Sequence, residues 1–257
     1  MKKIAIFLSI LFISFSCFSQ NTKDELPALT FKGKITFERK QNTHKQLDDM
    51  SKKGRRGSMT DALKKSTPKY KIDFFELYFN QDESIYKLAK DGLTESKMMF
   101  GNMPADRNIV YKNQTKNTIA SEKFIFENTY LLKDSIPSYK WKITEEFRKI
   151  AGYNCRRAET IIMDSIYVIA FYTDAIINPS GPENFNGLPG MILGIVLPRL
   201  NVTYFATRVD QYLSDEKIIT PPTKGKTYTR QTLNKELVTS LKQWGDYLQP
   251  MLWWVNL

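Results

Sequence analysis

The amino-acid sequence predicts a mainly β protein: a curved antiparallel sheet or open half-barrel with a C-terminal amphipathic helix packed against it. Three observations predict this fold. Apolar and polar residues alternate along many short segments of the chain. Turn-forming residues separate those segments at short intervals. The apolar period changes to three and four residues only near the C-terminus, where a helix is expected.

The first predicted strand covers residues 29–40 and has one wet face. Phe31, Gly33, Ile35 and Phe37 fall on one side, and charged or polar residues fall on the other. This pattern is typical of an antiparallel sheet that covers a core on one face only. Residues 72–79 and 84–89 form the next two strands, and the polar residues 80–83 between them predict a hairpin turn.

Further short strands follow up to residue 208. They are predicted at residues 109–112, 118–126, 129–133, 155–163, 166–173, 191–197 and 202–208, and residues 141–143 begin another. Asp164 and Ser165 are predicted as a two-residue hairpin loop. The strand at 166–173 is apolar on both faces, so we expect it to be central and covered on both sides.

The helical period appears between Thr232 and Leu248. Its apolar positions recur at three- and four-residue steps and comprise Leu233, Leu237, Leu241, Trp244 and Leu248. The sequence predicts one amphipathic helix over this stretch, ended by Pro250. A tail containing Trp253 and Trp254 follows.

The N-terminus predicts export. Residues 1–19 combine two lysines with a short apolar run, which is typical of a signal peptide. An alternative is lipidation at Cys17, although Ser14 stands where an aliphatic residue is usual. Cleavage after residue 19 leaves Cys155 as the single cysteine, so residues 20–257 are expected to form one β-rich domain without a disulfide. Periplasm and cell surface both remain open as locations.

The chain is strongly basic, with a formal net charge of +11. Much of this charge lies in a polar segment at about residues 41–69, which is predicted to be a flexible insertion, with a short helix around residues 60–65 as a further expectation. It either grips an anionic envelope surface or outer-membrane protein, or is a solvated loop. Export makes nucleic acid an improbable partner, and no stretch after residue 20 is apolar for long enough to span a membrane.

A Pro- and Gly-rich segment precedes the strand at 191–197 and contains Gly187-Leu188-Pro189-Gly190-Met191-Ile192. Gly187, Pro189 and Gly190 are predicted turn formers, because proline presets φ and glycine accepts positive φ. The segment is either a rigid connector or a lip over a cavity. In the second interpretation Phe185, Leu188, Pro189 and Met191 form an apolar ligand-binding rim.

This hexamer resembles the signature of the GLPGLI family, with Met191 in place of leucine. The resemblance extends over residues 141–193 through Trp141-Lys142-Ile143-Thr144, residues 150–158, residues 170–173 and residues 181–193, which occur in the order the family uses. Phe171 departs from the family's frequent tryptophan, and Asn178 interrupts a usually more apolar stretch. The resemblance implies an exported protein of Bacteroidota-type bacteria and no established activity.

No residue pattern predicts catalysis, a metal site or a cofactor. Cys155 is flanked by Arg156 and Arg157, which suits either a reactive thiol or a small buried core residue. A cysteine–histidine pair could recruit only His44, which lies far away in the polar segment. The three thioethers of Met98, Met99 and Met103 either bind Cu(I) or dock on an apolar surface.

Two functions follow from these observations. The first is an envelope-associated binding or carrier module that holds a hydrophobic or peptide ligand on the concave face of the sheet, without catalysis. The second is a structural or interaction protein that docks on an anionic or outer-membrane partner through the basic insertion and the C-terminal tail.

Overall fold

The computed structural model of the protein describes residues 29–51, 57–93, 104–212 and 215–257. The signal peptide predicted at 1–19, Cys17 and the three methionines at 98–103 lie outside these residues. The twelve strands of the described chain belong to one mixed sheet with the strand order β12-β6-β5-β4-β3-β2-β1-β11-β10-β9-β8-β7. The first and last strands of this order are not paired with each other, so the sheet is open.

Eleven of the twelve strands overlap predicted segments, while β12 was not predicted and β7 extends well beyond the predicted residues 141–143. Their bounds are β1 (Gly33–Asn42), β2 (Tyr70–Phe79), β3 (Glu83–Leu88), β4 (Ile109–Asn113), β5 (Thr118–Ile125), β6 (Asn128–Ser135), β7 (Lys142–Ile150), β8 (Tyr153–Ile162), β9 (Ile166–Thr173), β10 (Met191–Leu197), β11 (Val202–Asp210) and β12 (Lys226–Tyr228). Neighbouring strands are antiparallel except β12 and β6, which are parallel. The fold class predicted from the sequence is confirmed.

One face of the sheet, called here the inner face, carries the main hydrophobic core. Ile35 and Phe37 of β1 are fully buried there, and so are Phe75 and Leu77 of β2. The opposite, outer face is covered only in part. A small second cluster forms on it, where Ile219 packs against residues of β3, β4 and β5.

The prediction for the strand at 166–173 was wrong in one respect. Ile166, Val168 and Ala170 of β9 are fully buried on the inner face, but Tyr167 on the outer face is 38% exposed. Strand β10 is instead buried on both faces. It is separated from the edge strand β7 by β8 and β9. Its outer face is covered because the ring of Phe205 and the side chain of Ile150 pack over Gly194.

The basic insertion contains two helices, α1 (Thr43–Ser51) and α2 (Gly57–Ser66). The sequence predicts a flexible loop with a short helix around residues 60–65; α2 includes that helix, whereas α1 was not predicted. Leu47 and Thr60 are buried, and the Lys64 ammonium forms an ion pair with Asp48. His44 Nε2 lies 2.9 Å from the main-chain oxygen of Thr67. These contacts join the two helices to each other and to the loop that leads into β2.

The C-terminal helix is also divided, which corrects the prediction of one helix over 232–248. Helix α3 (Arg230–Ser240) is capped by Thr229 and buries Leu233 and Leu237. A 3-10 segment with a positive φ at Gly245 then turns the chain into α4 (Leu248–Val255). Pro250 lies in the first turn of α4 and does not end a helix. Proline is tolerated there because the first main-chain N–H groups of a helix have no partner within the helix.

The C-terminal tail is buried in the folded chain. Trp253 and Trp254 are only 7% and 5% exposed. The Arg199 guanidinium lies 4.7 Å from the Trp253 ring centroid. Within the described residues, no helix is long and apolar enough to cross a membrane.

Candidate functional site

The segment from Ala175 to Gly190, called here the signature loop, folds back on itself and reaches the inner face. Ser180 and Asn186 form an antiparallel bridge, and the Ile192 amide donates to the Ser180 carbonyl at 2.8 Å. Gly187 and Gly190 have φ values of 86° and 133°. Glycine adopts such positive φ values with little steric strain because it has no Cβ. The Gly190 amide donates to the Leu188 carbonyl at 2.7 Å, so the chain turns tightly at Pro189.

A buried lysine from β4 organises this loop. Lys112 is fully buried, and its Nζ donates to the carbonyl oxygens of Gly181 at 2.9 Å and Phe185 at 2.7 Å. The same Nζ lies 3.2 Å from the Ser180 hydroxyl oxygen. The loop is therefore wrapped around an ammonium group, and we call this arrangement the lysine seat.

Burial dominates the electrostatics of the lysine seat. It lowers the pKa of Lys112 to about 7, and the charge of Glu183 only partly offsets this. Burial likewise raises the pKa of Glu183, against the opposing effects of Lys123 and of the hydrogen bond from Asn108. Asn108 Nδ2 donates to Glu183 Oε2 at 2.8 Å, while Glu183 Oε1 has no hydrogen-bond partner among the described residues.

Asparagine side chains fasten the loop to three other parts of the chain. Asn178 Nδ2 donates to the Asn80 carbonyl at 2.8 Å in the β2–β3 turn. Asn184 Nδ2 donates to the Asn256 carbonyl at 3.0 Å, and Asn186 Nδ2 to the Pro137 carbonyl at 3.0 Å. The signature loop thus connects the β2–β3 hairpin, the segment before β7 and the C-terminal residues.

Three of the four predicted rim residues are buried in the core. Phe185, Leu188 and Met191 are 1%, 2% and 0% exposed and belong to the main hydrophobic cluster, whereas Pro189 is exposed. A ligand contact at the three buried side chains would need them to leave that packing. As folded here they close the interior instead of framing an open mouth.

A second charged group on the inner face was not anticipated from the sequence. The Arg39 guanidinium contacts Asp73 at 2.5 Å and Asp106 at 2.6 Å, and Lys71 Nζ contacts Asp106 at 2.8 Å. All four side chains are buried, and Arg39 also donates to the Ala105 carbonyl at 2.8 Å. We call these residues the buried ion cluster.

The buried ion cluster could have been found from the alternation of residues along β1 and β2. Arg39 continues the inward series of Ile35 and Phe37, and Asp73 continues that of Phe75 and Leu77. Charged residues at inward positions are costly unless they are paired. Their occurrence on neighbouring strands therefore predicts an ion pair across β1 and β2.

The other candidate groups from the sequence do not form a reactive site. Cys155 is fully buried, and burial raises the pKa of its thiol to about 12. Arg156 and Arg157 pair instead with Glu145 and Glu146 of β7. The described residues contain no group of three histidine, cysteine or acidic side chains placed to hold a metal ion.

Outside the core, the described residues form a groove of about 360 Å³ on the outer face. It lies where the end of β1 meets the start of α1 and the connection between β10 and β11. Lys40, Lys45 and Tyr70 line one side, and Val196, Pro198 and Thr203 line the other. This groove is the second candidate site.

Comparisons with known proteins add a family of unknown function. Residues 159–194 match the model of a family described as protein of unknown function (Porph_ging), and this segment includes β9 and the signature loop. No curated protein matches the chain. The match covers less than half of the chain.

Solved structures with similar folds are distant. Two structures of PNGF-II, in different space groups, are 15% and 16% identical with a TM-score of 0.49 each, and they cover 87% and 82% of this chain. The chain spans about a third of the PNGF-II length, 33% and 34%. An uncharacterized conserved protein from Thermus thermophilus is 6% identical with a TM-score of 0.38, covering 78% of this chain and 91% of its own.

Proposed function

We propose that the chain is an exported, non-catalytic interaction protein of the cell envelope, related to the GLPGLI family, that binds its partner through the outer face. The observation that carries this proposal is the filled inner face. Arg39, Tyr86, Tyr204, Phe75 and Phe185 are all less than 2% exposed there. A partner is therefore expected to meet the protein from outside the sheet.

Two features support export and the family relationship. The first 19 residues carry the charge and apolar pattern of a signal peptide. The segment that matches a family model, residues 159–194, contains the hexamer from Gly187 to Ile192 that resembles the GLPGLI signature. Neither feature assigns a chemical activity.

A carrier for a hydrophobic or peptide ligand is the second candidate, because the sheet is open and curved around one face. To bind such a ligand on the inner face, the protein would first have to displace the side chains that fill it. Lys123 Nζ donates to the main-chain oxygen of Leu257 at 2.8 Å, and Leu252, Trp253 and Val255 are buried beside it. Removing that C-terminal segment would expose a large apolar surface, which costs about 25 cal/mol for each Å².

A fluorescent fatty-acid probe and cell fractionation together separate the two functions. We expect no saturable uptake of the probe by the purified protein, and recovery of the protein with the envelope fraction of its own cells. Native mass spectrometry of that material should show the bare chain mass. Saturable uptake that Ala170→Trp abolishes would overturn the proposal, because Ala170 is fully buried on the inner face.

A further inference from the structure

The groove on the outer face is cationic along one side and apolar along the other. Lys40 and Lys45 line it together with Tyr70, which is 42% exposed. Val196, Pro198 and Val202 supply the apolar part of the lining. Charge and apolar surface therefore meet within one depression.

Two lysines, Lys40 and Lys45, line this depression, and a third, Lys69, lies beside Tyr70. Lys40 Nζ lies 4.4 Å and Lys69 Nζ lies 5.5 Å from the centroid of the Tyr70 ring. Among the described residues, neither these two lysines nor Lys45 forms a salt bridge with a carboxylate. Lys64 of α2, in contrast, is paired with Asp48. The charge of the groove is thus free to attract an anion.

The acidic side chain at the edge of the groove is already engaged. Asn201, which lines the groove, donates from Nδ2 to Asp49 Oδ2 at 2.9 Å. Asp49 is therefore already engaged. Among the described residues, Asp49 forms no salt bridge with Lys40, Lys45 or Lys69. The local balance remains positive.

We infer that this groove binds the phosphate headgroup of an anionic lipid at a membrane surface. Lysine ammonium groups are compact point charges that suit phosphate oxygens. The tyrosine ring and the lysine stems are amphipathic, which fits them to the boundary between headgroup and hydrocarbon. The apolar side, with Val196 and Pro198, would contact the glycerol region. A free phosphate would leave that side unused.

The inference rests on the proposed function, since it names the partner of the outer face. It is tested by co-sedimentation of the purified protein with vesicles of phosphatidylcholine alone or with 30 mol% phosphatidylglycerol. The variant replaces Lys40, Lys45 and Lys69 with glutamine. The matched control replaces three exposed lysines elsewhere, Lys116, Lys142 and Lys224, and removes the same net charge.

We expect binding to the anionic vesicles only, weakened about 100-fold in the groove variant at physiological ionic strength, since each lysine contributes about fivefold. The control variant should lose much less. Tyr70→Ala should weaken binding further than Tyr70→Phe, because the ring contacts both ammonium groups. Added glycerol phosphate at millimolar concentration should not displace the protein.

Equal losses in the groove and control variants would overturn the site, because binding would then depend on net charge alone. Tight binding of glycerol phosphate in solution, without vesicle binding, would overturn the lipid as the partner. In either case the proposed function would stand if the protein still fractionated with native envelopes. Uptake of a fatty-acid probe into the interior would count against the proposed function itself and leave the vesicle result intact.

Discussion

Replacing Lys112 with methionine should change how the stability of the protein depends on pH. The pKa of Lys112 is lowered by burial from 10.5 to about 7, and burial lowers that of Lys123 to about 8. Between these values and 10.5 the unfolded chain keeps protons that the folded chain releases. The two lysines therefore make the free energy of unfolding rise with pH in this window, whereas Glu183, whose pKa is raised by burial, acts in the opposite direction.

The size of this rise follows from the two pKa values. Going from pH 7 to 8.5, the two lysines together should add about 2 kcal/mol to the free energy of unfolding, roughly two-thirds of it from Lys112. The range from pH 7 to 8.5 ends below the ordinary pKa of Cys155, 9.0, and of the buried tyrosines, 10.0. Those groups have raised pKa values in the folded protein and would lower stability only at higher pH.

Urea unfolding followed by tryptophan fluorescence measures the effect at both pH values. We expect the native protein to gain about 2 kcal/mol and Lys112→Met to gain less than half of that. Lys116→Met, at an exposed turn, serves as the control and should behave like the native protein. A native protein whose stability is flat or falls between pH 7 and 8.5 would refute the reasoning. This result does not require the methionine variant to fold.

Three further predictions concern other parts of the core. Gly190→Ala should destabilise the protein by about 3 kcal/mol in thermal unfolding, because a Cβ there would clash with a main-chain oxygen; Gly152→Ala, which has open space around it, should cost about 1 kcal/mol. Asp73→Asn should cost about 3–5 kcal/mol in urea unfolding, since it leaves Arg39 with a weakened buried partner, and a cost under 1 kcal/mol would contradict this. Cys155 should resist a thiol-specific reagent in the native protein and react once urea is added; modification of the native protein at neutral pH would show that the thiol is accessible.

The strand positions could be predicted from the sequence because their information is local. A strand with one buried and one solvent-exposed face alternates apolar and polar residues, as residues 70–79 and 153–162 do. The C-terminal region was harder, since a period of three to four residues continues across the break at Gly245. Which side of α4 is buried depends on its contacts with the inner face of the sheet, whose residues are far from α4 in the sequence.

The charged groups of the interior were missed for a different reason. In the sequence, a lysine such as Lys112 cannot be told from a solvated strand residue until the groups that accept its hydrogen bonds are known. Those groups are the main-chain carbonyls of Gly181 and Phe185. Every residue has a main-chain carbonyl, so residue type does not reveal which ones accept the bonds. The alternation of β4 places Lys112 on the same side as Val110, which is the one signal available.

The lysine seat also explains why the signature loop has its unusual composition. Two carbonyls can converge on one ammonium only if the chain between them turns sharply, and Glu183 accordingly has a φ of 51°. Gly181 is needed because a Cβ there would lie 2.8 Å from the Cβ of Ile192. These requirements concern internal geometry, whereas the cationic groove around Tyr70 lies on the outer face. The motif therefore marks how the interior is closed, and partner binding can be altered at the groove without disturbing it.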